Sequence, residues 1–132
     1  MVSQESIDFV RAAYEWGNTQ GWTARGWWHE DGEYVNSRED PDHGRHVGIE
    51  AVEAHFASWI EAYPDLRVTP VDVRANGRRV FAWVHFSGHG ATSGMPVDME
   101  LAHVLTLEDG LIKRLEEYTD RAEALARAGI EE

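Results

Sequence analysis

An α+β fold, with N-terminal helices packed on a curved, mainly antiparallel sheet, is predicted by a change of hydrophobic period midway along the chain. Up to Tyr63 the apolar residues recur mostly at helical spacing, and beyond Pro64 they alternate as in strands. Two dipeptides, Asn76-Gly77 and Asp109-Gly110, tolerate positive φ and mark hairpin turns between the later strands. The 132 residues, 42% hydrophobic and 27% charged, suit one domain with one core, without repeat or linker.

The first helix is predicted over 3–16, where Ser3 can cap and Ile7, Val10 and Tyr14 form a stripe widened by Phe9, Ala13 and Trp16. Gly17 and Gly21 break it, and a shorter helical piece is expected to carry Trp22 to Trp28. Gly32–Ser37 reads as a short strand with Tyr34 and Asn36 on one face, and 38–47 as a polar loop. The clearest helix runs from about Ile49 to Tyr63, stopped by Pro64. Four strands follow, at 66–75, 78–88, 96–107 and 111–118. Asp120 caps a last helix, with Glu123 as its reciprocal partner and Gly129 at its end.

A formal net charge of −12 argues against a nucleic-acid partner, because phosphate binding needs clustered Lys and Arg. No apolar run reaches bilayer length, so no membrane partner is expected, and residues 1–20 lack the pattern of a secretory signal. Without cysteine there is neither disulfide nor thiolate chemistry. These observations together lead us to expect a cytoplasmic protein.

From His103 onward, HVLTLEDGLIKRLEEYTDRAEALARAG resembles the C-terminal hairpin and terminal helix of the SnoaL-like polyketide cyclases of the NTF2-like superfamily. The likeness continues back through Ser93-Gly94 to WIEAYPDLRV and covers about 5–128. It implies a cone whose helices and sheet enclose a pocket, a homodimer, and a small-molecule function that needs no cofactor. In those cyclases a carboxylate on the last strand is general acid/base and a histidine on the preceding strand faces the same pocket. The matching residues here are Glu117, a Glu where the cyclases carry Asp, and His103. Tyr34-Val35-Asn36 matches the Tyr-x-Asn pair of the limonene-epoxide-hydrolase branch. Where that branch has Arg-x-Asp, this chain has Trp83-Val84-His85, which argues against epoxide hydrolysis by its mechanism.

Read from the residues, alternation groups Met99, Leu101, His103, Leu105 and Leu107 on one face, and Leu111, Leu115 and Glu117 on another. A strict two-residue loop at Asp109-Gly110 would set His103 across from Glu116, whereas a three-residue loop with a bulge sets it beside Glu117. We favour the bulged loop, which keeps Leu115 with Leu101 and Leu105. A carboxylate among leucines has a raised pKa and suits a proton acceptor. A histidine beside it can polarise a carbonyl, as an aldol closure, proton shift or dehydration requires. If Tyr34, Asn36, Trp83 and His85 all point inward, they line the pocket with aromatic walls and hydrogen-bonding groups for a small apolar or aromatic ligand.

Each of these residues also has a plainer reading. Glu117 could be a solvated or arginine-paired strand end, and His103 a satisfied core histidine. Asp120 is explained by capping, and Tyr14, Trp16, Trp27, Trp28 and Trp59 by packing. Asp40, Asp42, His43 and His46 offer metal-ligand types, but a solvated acidic loop accounts for them, and no metal is expected. A non-catalytic ligand-binding protein is the alternative to an enzyme.

Overall fold

The computed structural model describes residues 3–40 and 44–131. Three helices, α1 (Ser3–Gln20), α2 (Ile49–Ala62) and α3 (Arg121–Ala128), accompany six strands. These are β1 (Trp28–Val35), β2 (Arg45–Val47), β3 (Arg67–Asn76), β4 (Arg79–His89), β5 (Pro96–Glu108) and β6 (Leu111–Tyr118). They form one open sheet in the order β2-β1-β6-β5-β4-β3. All neighbours are antiparallel except β1 and β6, which run parallel.

The inner face of β4 is Val80, Ala82, Val84 and Phe86, packed with Val10 and Tyr14 of α1 and Val52 of α2 in the main core. On the opposite face Phe81, Ala102 and Val104 meet Ala124, Leu125 and Ala128 of α3. The last helix thus covers the back of the sheet rather than joining the others. Both residue rows of mid-β5 are apolar for this reason, and burial is continuous from Leu101 to Leu105. Asp120 caps α3 by accepting from the N–H groups of Ala122 and Glu123, and Gly129 ends it at φ 75°. The Glu123 carboxylate turns outward to Arg38 instead of back to the cap.

Two sequence expectations near the N-terminus are corrected. Gly17 does not stop α1, which continues to Gln20; it sits in the buried stripe with Ser6, Val10 and Tyr14. It is a glycine because the Trp22 indole lies on it, and a Cβ there would come within 2.2 Å of the ring. The extra turn carries Asn18, whose amide bonds both the C=O (2.8 Å) and the N–H (2.9 Å) of Val68 on edge strand β3. That closes part of an edge otherwise open to another chain. Residues 22–28 form no helix: a turn at 25–27 leads into β1, which starts at Trp28. The expected loop at 38–47 contains β2 at its end, and its residues 41–43 lie outside the described residues.

The β3–β4 turn places Gly77 (φ 61°) first of its two central residues. It is clamped by α1, since Ser3 Oγ accepts from its N–H and Ser6 Oγ donates to its C=O. At the β5–β6 turn Asp109 (φ 53°) and Gly110 (φ 76°) are both left-handed, as a two-residue type I′ turn requires.

Replacing Gly17 with Ala tests the Trp22 contact. Helix propensity alone favours Ala by about 1 kcal/mol, but displacing the indole outweighs this. We expect a net loss of about 1–3 kcal/mol in urea unfolding. In a Trp22→Ala background the same change should become stabilising.

Candidate functional site

Glu117 and His103 are direct cross-strand partners on β6 and β5, as the sequence reading favoured. The route differs from the one expected. The turn is the strict two-residue kind, and the extra residue is Lys113 in β6, where Thr106 pairs with Arg114 but Leu107 with Ile112. The bulge shifts every later β6 side chain by one position, which moves Glu117 onto the inner face.

Glu117 is 5% exposed, and its carboxylate accepts from the Tyr34 hydroxyl and from the Ser37 backbone N–H (3.2 Å). Both donors are neutral. Burial raises its pKa, against the lowering effect of those two hydrogen bonds. Burial, then the Glu117 charge, holds the Tyr34 phenol well above its ordinary value, so Tyr34 remains a donor.

His103 is 3% exposed, and burial pushes its pKa down to about 3, so the ring is neutral near pH 7. Its Nδ1 lies 2.6 Å from the Tyr14 hydroxyl. Burial and the Glu117 charge keep Tyr14 protonated, so its O–H is available to Nδ1, and in the tautomer that accepts it the imidazole proton resides on Nε2. That Nε2 is buried with no protein partner among the described residues. A buried donor left unpaired is costly, and a ligand oxygen would satisfy it.

Two spaces meet here. An apolar cavity of about 70 Å³ is lined by Tyr14, Trp22, Trp27, Trp28, Tyr34, Phe56, Phe86, His103 and Leu115, among others. An open cleft of about 720 Å³ is lined by Asn36, Ser37, Asp40, His46, His55, Leu101, Glu117 and neighbours, and Trp59 borders both spaces. The Trp59 indole N–H donates to His55 Nε2 (3.0 Å), and His55 stacks on His46 at 4.0 Å. Burial and the neighbouring His46 lower the His55 pKa to about 4.

Of the residues expected to line a pocket, Tyr34, Asn36, Leu101 and Leu115 do so, with Glu117 and His103. Trp83 and His85 do not. They occupy the outward row of β4, where the Trp83 indole donates to Glu100 and the His85 ring bonds Asp98. The inward row is the apolar Ala82-x-Val84-x-Phe86 set, because the small and branched residues pack under α1 while Trp83 joins the α3 cluster. Sequence reasoning assigned Tyr14 to packing and passed over His55. A phenol in a helix stripe needs a partner, and His55 follows Val52 by three residues on the same face of α2, so both carried a faint signal.

Among the described residues, one set of three potential metal ligands comes within 4.8 Å, namely His29, Glu108 and Asp109. It lies at the β5–β6 turn, at the other end of β6 from Glu117. No helix among the described residues is long and apolar enough to cross a membrane.

Three helices packed on a six-stranded, mostly antiparallel open sheet are the architecture of the NTF2-like, cystatin-type fold. The family model of the SnoaL-like domain matches residues 8–115, and the chain belongs to that family. Among solved structures it is similar to a candidate SnoaL-like polyketide cyclase from Jannaschia sp. CCS1, with TM-score 0.78 and 22% identity over 96% of this chain and 92% of that one. It is similar also to Bal32a from a soil-derived mobile gene cassette (TM-score 0.77, 16% identity, 95% and 96% covered). A third is TerC, co-crystallised with polyporic acid (TM-score 0.73, 19% identity, 94% and 97% covered). At these identities the likeness shows the fold. No curated protein matches the chain.

The burial of His103 predicts how stability depends on pH. Its folded pKa of about 3 lies below the unfolded 6.5, so between these values the unfolded chain binds more protons and stability falls as pH drops. The slope is at most about 1.4 kcal/mol per pH unit for this one group. His55 acts in the same direction but more weakly, being partly exposed. Glu117, raised, works oppositely: its contribution falls as pH rises through the range above 4.5. Urea unfolding between pH 4 and 6 should show a shallower slope in His103→Gln than in wild type.

Proposed function

We propose that the protein is a small-molecule enzyme that performs general acid/base chemistry on a carbonyl compound. The observation that carries this reading is the pairing, among the described residues, of a buried carboxylate bonded only by neutral donors with a buried imidazole whose Nε2 has no partner. Glu117 removes a proton from the carbon next to the carbonyl. Its raised pKa brings it closer to the working pH, where proton transfer in both directions is efficient. The Nε2–H of His103 donates to the carbonyl oxygen and strengthens that bond as negative charge develops there. Tyr14 holds the tautomer that makes this donation available, and Tyr34 orients the carboxylate.

The resulting enolate has three outcomes with these groups: reprotonation at another carbon, attack on a second carbonyl of the same molecule, or expulsion of a β-hydroxyl. Isomerisation, aldol-type cyclisation and dehydration are accordingly the reaction classes. The family membership and the co-crystallised polyporic acid of TerC support an organic ligand of this kind. Size divides the ligand. A cavity of about 70 Å³ is roughly half the ~150 Å³ that admits benzene. The carbonyl end therefore enters the cavity, and the larger part of the molecule occupies the cleft.

A ligand-binding protein without turnover is the second reading. It is favoured by the wholly apolar inward row of β4, which supplies no further charged group.

The test is exchange of the α-protons of aryl ketones in D₂O, followed by proton NMR. Glu117→Gln should slow exchange by about 10²–10⁴-fold while retaining ligand-induced thermal stabilisation. Exchange unaffected by this substitution overturns the mechanism. Stabilisation of wild type without any exchange favours the second reading.

A further inference from the structure

We propose that the cleft beside Glu117 receives an organic ammonium group, so that the ligand carries a protonated amine on the end remote from the cavity. This rests on the reading of Glu117 and His103 above and adds the substrate class.

The first argument is charge. Among the described residues, the cleft lining contains Glu39, Asp40 and Glu117 and no lysine or arginine. Nearby arginines are engaged elsewhere: Arg38 with Glu123, Arg45 with Glu33, and Arg127 with Glu116. Glu117 accepts hydrogen bonds from neutral groups alone among the described residues. A carboxylate or phosphate on the ligand would meet no lysine or arginine among the described lining residues, whereas a cation is attracted by the carboxylates.

The second argument is hydrogen bonding. Asn36, 6% exposed, lines the cleft, and its amide nitrogen donates to Asp40 Oδ2 (3.2 Å). That bond fixes which end of the amide is oxygen. Asn36 Oδ1 is buried and has no partner among the described residues. An amide oxygen can only accept, so the missing partner is a donor. The carboxylates beside it are acceptors too, and an ammonium ion brings three donors to such a lining.

The third argument is the wall. The stacked His46–His55 pair, Trp59 and Tyr63 line the same cleft, and of these Trp59 and Tyr63 are the ring types that hold cations. Aromatic surfaces attract a desolvated cation. His55, neutral because its pKa is lowered to about 4, does not oppose it.

The experiment is calorimetric titration of the full chain with 2-phenylethylamine, 2-phenylethanol and phenylacetate, which share a ring and differ in charge. The amine should bind about tenfold more tightly than the alcohol, and phenylacetate more weakly than both. Asp40→Asn, and separately Glu39→Gln on the cleft rim, should each reduce the amine-over-alcohol preference by about threefold or more. Equal binding of amine and alcohol, or tighter binding of phenylacetate, overturns the proposal. So does an amine preference that neither variant changes, since that reports only the overall negative charge. Glu117-dependent exchange on neutral ketones without an amine preference removes this inference and leaves the enzymatic reading. An amine preference in a protein that exchanges no protons supports the ammonium site and removes the enzymatic reading.

Discussion

The pairing of β5 with β6 governs the interior. A type I′ turn alone would put Glu116 opposite His103 and leave Glu117 on the back of the sheet. Lys113, inserted as a bulge, reverses the assignment for the rest of β6. Glu116 then faces outward, where Arg127 bonds it and Tyr118 donates to it. Glu117 faces inward with Leu115, beneath the aromatic residues of α1 and α2. Because the side-chain period of a strand is two, a single inserted residue decides which of two adjacent glutamates is neutralised by arginine and which is not.

The inward carboxylate is then satisfied by a particular economy of charge. A buried ion without a partner is expensive, and an arginine beside it would hold it ionised and inert as a base. Two neutral donors, the Tyr34 hydroxyl and the Ser37 N–H, supply hydrogen bonds without supplying charge. Tyr14, also neutral, bonds His103 on the nitrogen away from the open valence. Both phenols are driven toward the protonated state by burial and by Glu117 itself. The carboxylate thus helps maintain the donors that orient it and its neighbour. Trp59, held by His55, borders both the apolar cavity and the acidic cleft that Glu117 lines.

The secondary structure was legible because it depends on neighbours in the chain. The switch from a period of 3.6 to one of 2, the Asp109-Gly110 turn, the Asp120 cap and the Gly129 stop each act within a few residues, and the four later strands and α2 fall close to their expected limits. The facing of His103 and Glu117 was legible for a related reason: leucines on both strands had to share a face, and one register satisfied them. Gly17 misled, since a glycine in a helix usually marks weakness, and here it makes room for an indole five residues on.

The sequence by itself therefore determined most of the elements, the fold class and the family likeness, and narrowed the carboxylate opposite His103 to Glu116 or Glu117. Tertiary structure alone decided which face of β4 lies inside. Alternation separates a strand into two rows but does not orient them, and on β4 both rows are apolar enough to be buried. Trp83 and His85 went outward because α3 covers the back of the sheet, and nothing local to β4 announces that. The Tyr14–His103 bond joins residues 89 apart. The division into a tight cavity and an acidic cleft arises where α1, α2, β1 and β5 converge. Such contacts are set by packing between distant segments, where periodicity carries no information.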